Sequence, residues 1–578
     1  MDQKRLILAI ALSVAIMIGF QWLMPKAPKP PVDPQTTTST STPAPPGAAP
    51  AGAPAGAPAT TAATPPREVP RARFAAPRVQ GSISLLGARL DDLVLRDYRD
   101  TIDPKSNLVR LLEPRADPHP YFVQFGWTAA EGENSTLPTD ETVWAASGEL
   151  GVGKPMTLSW DNAHGLLFEI LFEIDKDYMF TVRQQVRNTG AAAVSLYPWS
   201  RIRRDYTPET AGYYVLHEGL IGVLDGRLKE MKYGDAKSEG AKNKGVALAV
   251  PEAGGWAGFT DKYWLTALIP ELTSKQTASF RHLELPGDGY QVDFLAAEPT
   301  VIAAGATAGS ATRLFAGAKE VHLLDRYESA LTILNFDKAV DFGWFYLITK
   351  PFFYAIDWLN GTLHNFGLAI LVFTVFIKGL FFPLANKSYR SMSKMKLLGP
   401  KMTALREQYK DDPGKLQAAM MGLYKAEKVN PASGCLPIVI QIPVFFSLYK
   451  VIFVTIEMRQ APFFGWIRDL SAIDPTNVFN LFGLLPFDPS AISPYLHLGV
   501  WPLIMGATMF FQQKLNPPPP DPVQAKVFQF MPIMFTFMLA SFPAGLVIYW
   551  SWNNLLTIGQ QWLIMRQTSL SKPSLARG

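Results

Sequence analysis

The residue best placed to do chemistry in this 578-residue chain is a lysine in apolar surroundings. Lys378 sits in Phe376-Ile377-Lys378-Gly379-Leu380, inside a run of otherwise apolar residues. An ionisable side chain in such a run is costly, which makes it a functional candidate by default. Counting about 1.5 Å per helical residue back from Leu384 places it roughly 9 Å below the cytoplasmic end of the segment. Snorkelling to the headgroups is the competing explanation. Thr374 lies one turn earlier on the same face and favours a polar lining. In the last apolar segment Tyr549, Asn553, Thr557 and Gln560 form a stripe, which Trp550, Asn554 and Gln561 widen. A helix facing lipid all round cannot carry that stripe; it faces protein or water. Gln441, Gln512 and Gln513 add polar groups on other segments. Interhelical hydrogen bonds account for a few of these, but their concentration around one basic residue points to a hydrated cavity. No Asp or Glu lies within these apolar segments. The lysine charge is therefore available to something brought in.

Other chemistries lack their residues. Seven scattered histidines show no metal-ligand spacing, and a single cysteine, Cys435, excludes an intrachain disulfide and any multi-cysteine metal site. Gly151-Val152-Gly153-Lys154-Pro155 lacks the first glycine and the terminal hydroxyl of a phosphate loop. The sequence predicts no metal, no cofactor, no nucleotide motor and no enzymatic activity.

The elements that must position the lysine divide the chain in two. The apolar fraction of 48% and mean hydropathy of +0.07 average a soluble-looking region and a membrane-like one. Lys4 and Arg5 precede an apolar run, residues 1–24 forming an uncleaved N-terminal anchor of near-spanning length; a removed signal peptide is the alternative. Residues 25–77, rich in Pro, Ala and Thr, read as a disordered tether. From 78 to 335, short alternating runs such as Phe180, Val182, Gln184 and Val186 predict an antiparallel all-β sandwich. Its role is expected to be scaffolding or docking, with a sugar or peptide pocket as the alternative. Residues 340–361 mix aromatics with Lys350 and Asp357 and predict an amphipathic helix lying in the interface. Five further spans are expected at about 366–385, 434–455, 496–513, 527–542 and 544–565. With the anchor this makes a six-span α-helical polytopic membrane protein carrying a β-domain. Val478 to Phe487 is apolar but too short to cross, and reads as surface-lying or re-entrant.

Charge placement sets the orientation, although the net charge is only +5. The loop at 386–430 is the most basic in the chain and is assigned to the cytoplasm. The 456–495 loop is acidic and assigned outside; the short tail at 566–578 is basic and assigned inside. Both termini are then cytoplasmic, and the β-domain faces the opposite side. The basic loop reads as a helical hairpin broken at Asp411-Asp412-Pro413-Gly414. It carries Lys394, Lys396, Lys401 and Arg406 and a methionine stripe that includes Met392, Met395 and Met402. A solvated positive loop is one reading; a docking surface for headgroups, ribosomal RNA or an apolar nascent segment is the other, without specific nucleic-acid recognition.

The stretches PLANKSYRSMSKMKLLGPKM, YKAEKVNPASGCLPIVIQIPVFFSLY, MRQAPFFGWIRDLS, TMFFQQKLNP and FPAGLVIYWSWNNLLTIGQQ are spread from 383 to 561 and so span most of residues 366–565. With GSISLLGARLDDLVLRDY and EGLIGVLDGRLKEMKY in the β-domain, they resemble the YidC/Oxa family of membrane insertases in its Gram-negative form. That resemblance implies an inner-membrane insertase and chaperone for nascent membrane proteins, acting alone or beside the Sec translocon, with a weak ribosome contact through the tail. It implies a periplasmic β-supersandwich and a five-helix core around a hydrophilic groove. The groove's basic residue falls on Lys378, where many relatives carry arginine, and its aromatic on Trp550. Lys450 and the 478–495 stretch depart from the family pattern. Two other classes remain: a solute transporter or channel, disfavoured because no inverted repeat is visible, and an envelope assembly protein acting through its β-domain.

Overall fold

Buried and half-buried side chains alternate strictly along Leu166–Ile174 and Val194–Arg204, as a strand with one covered face requires. The computed structural model describes residues 69–212, 216–271, 275–410, 412–427, 436–493, 496–516 and 522–570. The expected anchor at 1–24, most of the tether, Cys435 and the tail beyond 570 lie outside the described residues.

Two sheets of antiparallel strands, joined by one parallel pairing of Phe74 with Leu150, form the β-domain. In spatial order one runs Val246–Ala253, Gln276–Leu283, Gly289–Ala296, Val194–Arg204, Tyr121–Ala129, Arg89–Arg99, Val79–Ser84 and Arg71–Ala75. The other runs Arg227–Met231, Gly219–Leu224, Gly255–Thr260, Trp264–Pro270, Thr307–Ala318, Met179–Asn188, Leu166–Ile174, Lys154–Asp161 and Ala145–Gly151. Aromatic rings interdigitate between the sheets, edge to face: Phe125 with Phe172 at 6.0 Å and Trp127 with Phe168 at 5.1 Å. Such pairs add about 0.5–1.5 kcal/mol each beyond the area they bury. Phe180, Val182, Gln184 and Val186 all point into this core, and Gln184 is satisfied there by donating to Gly126 O at 2.8 Å. The domain begins earlier than the expected residue 78. Arg71–Ala75 pairs with Val79–Ser84 and buries Phe74, so the tether ends before the strand.

Two helices accompany the sheets, α1 (Tyr233–Lys242) and α2 (Val321–Leu331). Next comes α3 (Tyr346–Leu363), overlapping the expected interfacial segment but starting six residues later and ending two later, after a turn in which Gly343 takes φ +71° and donates to Asp341. It buries Thr349, Phe353 and Ile356 and exposes Leu347 and Trp358, an amphipathic division.

The helical half consists of α4 (Phe366–Leu380), α5 (Phe382–Leu397), α6 (Gly399–Gln408), α7 (Pro413–Ala426), α8 (Leu436–Val454), α9 (Val500–Leu515), α10 (Pro522–Leu539) and α11 (Ala544–Leu570). Among the described residues no single helix is long and apolar enough to cross a membrane. The pair α4 and α5, bent by 67°, meets the length and composition together. The bend corrects the straight 366–385 segment: Pro383 has no N–H to continue the hydrogen-bond ladder. α9 and α10 approach closely at Gly506, where any side chain would collide with Thr536. The basic loop holds the end of α5 plus α6 and α7, three helical pieces rather than two. Gly399 and Pro400 open the extra helix, and Asp412 caps α7 by accepting from Lys415 N at 3.0 Å. Its methionine stripe is largely turned inward. Leu398, Met402 and Tyr424 are buried with Met395, Met420 and Leu423 around them, so the stripe is the hairpin's own small core.

Candidate groove among the helices

A partly open cavity lies where α4, α5, α8 and α11 meet. It is lined by Ile377, Lys378, Phe381, Leu384, Ala385, Tyr389, Gln441, Val444 and Gln560, with about 50 Å³ of space that water can occupy. One water needs about 10–15 Å³, so a small cluster fits. Helical spacing along α4 puts Ile377, Lys378 and Phe381 on the same wall; the bend then swings α5 back so that Tyr389 closes a side.

Lys378 is half-buried and donates from Nζ to Thr557 Oγ1 at 2.8 Å. The Thr557 hydroxyl donates in turn to Asn553 O at 2.7 Å, so it can only accept from the ammonium. Gln441 donates from Nε2 to Tyr549 Oη at 2.7 Å, tying α8 to α11. Gln560 Nε2 and Asn553 Oδ1 are buried with no protein partner among the described residues. Buried polar atoms of this kind call for water or a ligand. The apolar helices around them carry no Asp or Glu. The arrangement is a pocket with room for water and one cation, able to hold an anionic group.

The sequence-derived candidates separate in space. Lys378 and Gln441 line the cavity. Tyr549 is buried beside it as the acceptor from Gln441. Asn553 stands one turn from Thr557. Trp550 packs against Phe445 at 4.6 Å and is not in the lining. Thr374 is buried and donates to Ile370 O of its own helix at 2.7 Å, and Gln512 lies on α9; neither reaches the lining. Of the polar stripe, Thr557 bonds the ammonium directly and Gln560 lines the cavity. Tyr389 carried no signal in the sequence, because only the bend brings it back. On the hairpin Lys394 is exposed, Arg406 half-buried, and Lys401 pairs with Glu427 at 2.6 Å. The side chain of Lys396 lies outside the described residues.

The β-domain is clamped to the helices by a charged seam. Lys450, near one end of α8, pairs with Asp341 at 2.8 Å, which accepts His217 N as well. Lys262 sits 3.8 Å from the Phe453 ring centroid, and Arg459 donates to Arg99 O at 2.6 Å. Glu457 accepts from Val321 N at 2.9 Å while its other oxygen is buried without a partner. Burial pushes this carboxyl up to about 7. The departure from the family pattern at Lys450 thus has a structural partner. Among the described residues one acidic trio, Asp325, Glu328 and Asp337, has metal-like spacing. Lys350 fills it, at 2.9 Å from Asp325 and 2.5 Å from Asp337.

Comparison with known proteins accords with this division. Residues 71–355 match the family described as YidC periplasmic domain, and residues 358–572 match 60Kd inner membrane protein. The membrane protein insertase YidC of Granulibacter bethesdensis is 60% identical over 580 residues, covering 100% of both chains. That of Acidiphilium cryptum is 54% identical over 517 residues, covering 88% of this chain and 86% of that protein. A crystal structure of an active YidC insertase with its first transmembrane domain resolved aligns over 84% of this chain and 91% of that one, at 16% identity and a TM-score of 0.35. The chain therefore belongs to the YidC family of membrane protein insertases, inner-membrane proteins with a mostly β-sheet periplasmic domain.

Proposed function

We propose that the protein inserts other proteins into the inner membrane through the pocket at Lys378. The observation that carries this reading is the ammonium itself: it lines a partly open cavity with room for water and has no carboxylate on the surrounding helices. Six spans are the working topology, with both termini in the cytoplasm and the β-domain outside. An acidic residue in the leading tail of a nascent chain pairs with Lys378. Orphaned amides such as Gln560 solvate the tail, which thereby avoids crossing about 30 Å of hydrocarbon unsolvated. The apolar segment that follows moves sideways into lipid, and its burial drives the step without nucleotide. Lys378, Thr557, Gln441 and Gln560 form the binding wall, with Thr374, Gln512, Tyr549, Trp550 and Asn553 supporting it from the surrounding helices. Lys394, Lys396, Lys401 and Arg406 of the hairpin offer positive charge to anionic headgroups or to the ribosome. Cooperation with the Sec translocon and chaperoning of nascent chains belong to the same reading.

Photocrosslinking from positions 374, 378 and 550 during translation of a short membrane protein tests it. Crosslinks from 378 to the translocated tail are expected. Lys378→Glu should lower insertion of acid-bearing tails about tenfold, corresponding to about 1.4 kcal/mol, whereas Lys378→Arg keeps the charge and the activity. Unchanged insertion by the glutamate variant would remove Lys378 from the mechanism.

A further inference from the structure

The segment between α8 and α9 has a surface that the insertion pocket does not use. Residues 475–487 contain no charged side chain. A short 3-10 turn at Val478–Gly483 and the loop after it expose Phe479, Leu481, Phe482, Leu484 (80%), Phe487 and Ile492 (74%). Leu481 and Phe482 hold φ of +51° and +59°, a left-handed conformation that bulky residues avoid unless the surroundings impose it.

The backbone of this loop is nonetheless satisfied from within. Phe482 N donates to Asn477 O at 2.9 Å and Leu485 N to Asn480 O at 3.0 Å. Gly483 N donates to Asn480 Oδ1 at 2.9 Å, and Phe479 N to Asn477 Oδ1 at 3.1 Å. The loop is also pinned to the start of α9. Val478 N donates to Leu498 O at 2.9 Å, and Asp474 accepts from both Trp466 Nε1 and Trp501 N, at 3.0 and 2.9 Å. Apolar side chains turned outward over internally bonded main chain suit a medium that offers no hydrogen bonds. A surface built to pair with another chain's backbone would keep donors free.

We infer that residues 478–492 are a lipid-seated wedge, immersed in the headgroup–acyl boundary of the leaflet at the α9 N-terminal end. Continuity names lipid as the occupant. The loop runs directly into α9, whose flank exposes Leu503, Ile504 and Phe511. α3 presents Trp358 (72% exposed) and Leu347 outward on the β-domain side of the helices, as an interfacial helix does. Asp488, whose carboxylate accepts from Ser490, marks the polar rim of the wedge. The inference rests on the spanning topology proposed above, with the α9 N-terminal end outside.

The test uses the full chain in liposomes with Cys435 replaced by serine and one environment-sensitive fluorophore on a new cysteine. Three sites are compared: Leu484→Cys on the loop, Phe511→Cys on α9, and Lys105→Cys on an exposed β-domain turn. Lipid carrying a nitroxide just below the headgroup should quench the label at 484 by about twofold, and aqueous iodide should quench it far less than at 105. Quenching at 484 by iodide but not by the lipid overturns the wedge. Protection from both quenchers also overturns it, in favour of a protein partner. Failure of lipid quenching at 511 as well would bring down the spanning topology, and the wedge with it; lipid quenching at 511 alone refutes only the wedge.

Discussion

The β-domain and the pocket among the helices differ in how often a buried cation has a carboxylate beside it. In the β-domain several buried cations have a carboxylate partner, while buried Lys319 donates to the Thr260 hydroxyl at 2.8 Å. Arg204 meets Asp261 through two contacts of 2.9 Å, Arg201 meets Asp140 at 2.9 Å, and Lys350 bridges two aspartates. In the bundle Lys378 rests on a threonine hydroxyl while neighbouring amides lack protein partners among the described residues, and Lys450, at the end of α8, pairs with Asp341 of the seam. The difference follows from what each region must do. A charge that serves folding is neutralised in place, because an unpaired one is costly to bury. A charge that serves a passing substrate must stay unpaired, and only water in the cavity makes that tolerable.

The comparison can be broken first in the β-domain. Arg204→Ala leaves Asp261 and the Tyr233 hydroxyl without their donor and should cost about 3 kcal/mol, read as a lower denaturant midpoint of the β-domain. Crosslinking from position 378 should persist in native membranes below that midpoint. The seam between the two regions responds to pH. Glu457 titrates near 7 in the folded protein against about 4.5 in the unfolded chain. The native state therefore holds a proton over that window that the unfolded state has released. Stability from this group is complete below 4.5 and falls as pH rises to 7. Glu457→Gln, which keeps an acceptor for Val321 N, should remove that decline and stabilise the protein at pH 8 by up to about 2–3 kcal/mol, with little change at pH 4.5. Thermal unfolding in detergent at both pH values checks the difference. The smallest expected effect is the sharpest test of hydration. Thr557→Val should cost less than about 1 kcal/mol in bicelle unfolding, because water replaces the lost acceptor, as is common for hydrogen bonds inside membrane proteins. A cost of about 3 kcal/mol or more would mean a dry pocket and a buried, uncompensated ammonium.

Much of the bundle was legible because membrane helices announce themselves by composition. Lys378 and the stripe from Tyr549 to Gln560 stand out against apolar neighbours, and their helical spacing puts them on one face. The members of the cavity wall were harder to read. Thr374 has the right spacing, yet its hydroxyl returns to its own backbone, an option open to any threonine in a helix. The methionine stripe of the hairpin looked like a free docking face, and it packs on α7 instead, because periodicity does not say which partner covers an apolar face. Trp550 packs on Phe445 and Phe535 of neighbouring helices, and Gln512 is absent from the cavity lining.

By itself the amino-acid order determined that one half alternates like sheet, that the other half is apolar with Lys378 deep in one of its runs, and that no acid accompanies it there. Local chemistry suffices for these, since strand alternation, hydrophobic run length and residue type are properties of neighbours in the chain. Only the tertiary structure decided which hydroxyl receives the ammonium, that Tyr389 returns across the α4–α5 bend, and that Lys450 reaches Asp341 of the segment below the β-domain. Those contacts join residues roughly ten to a hundred and eighty positions apart. Their distances are set by helix packing and by one kink, neither of which any short window of sequence specifies.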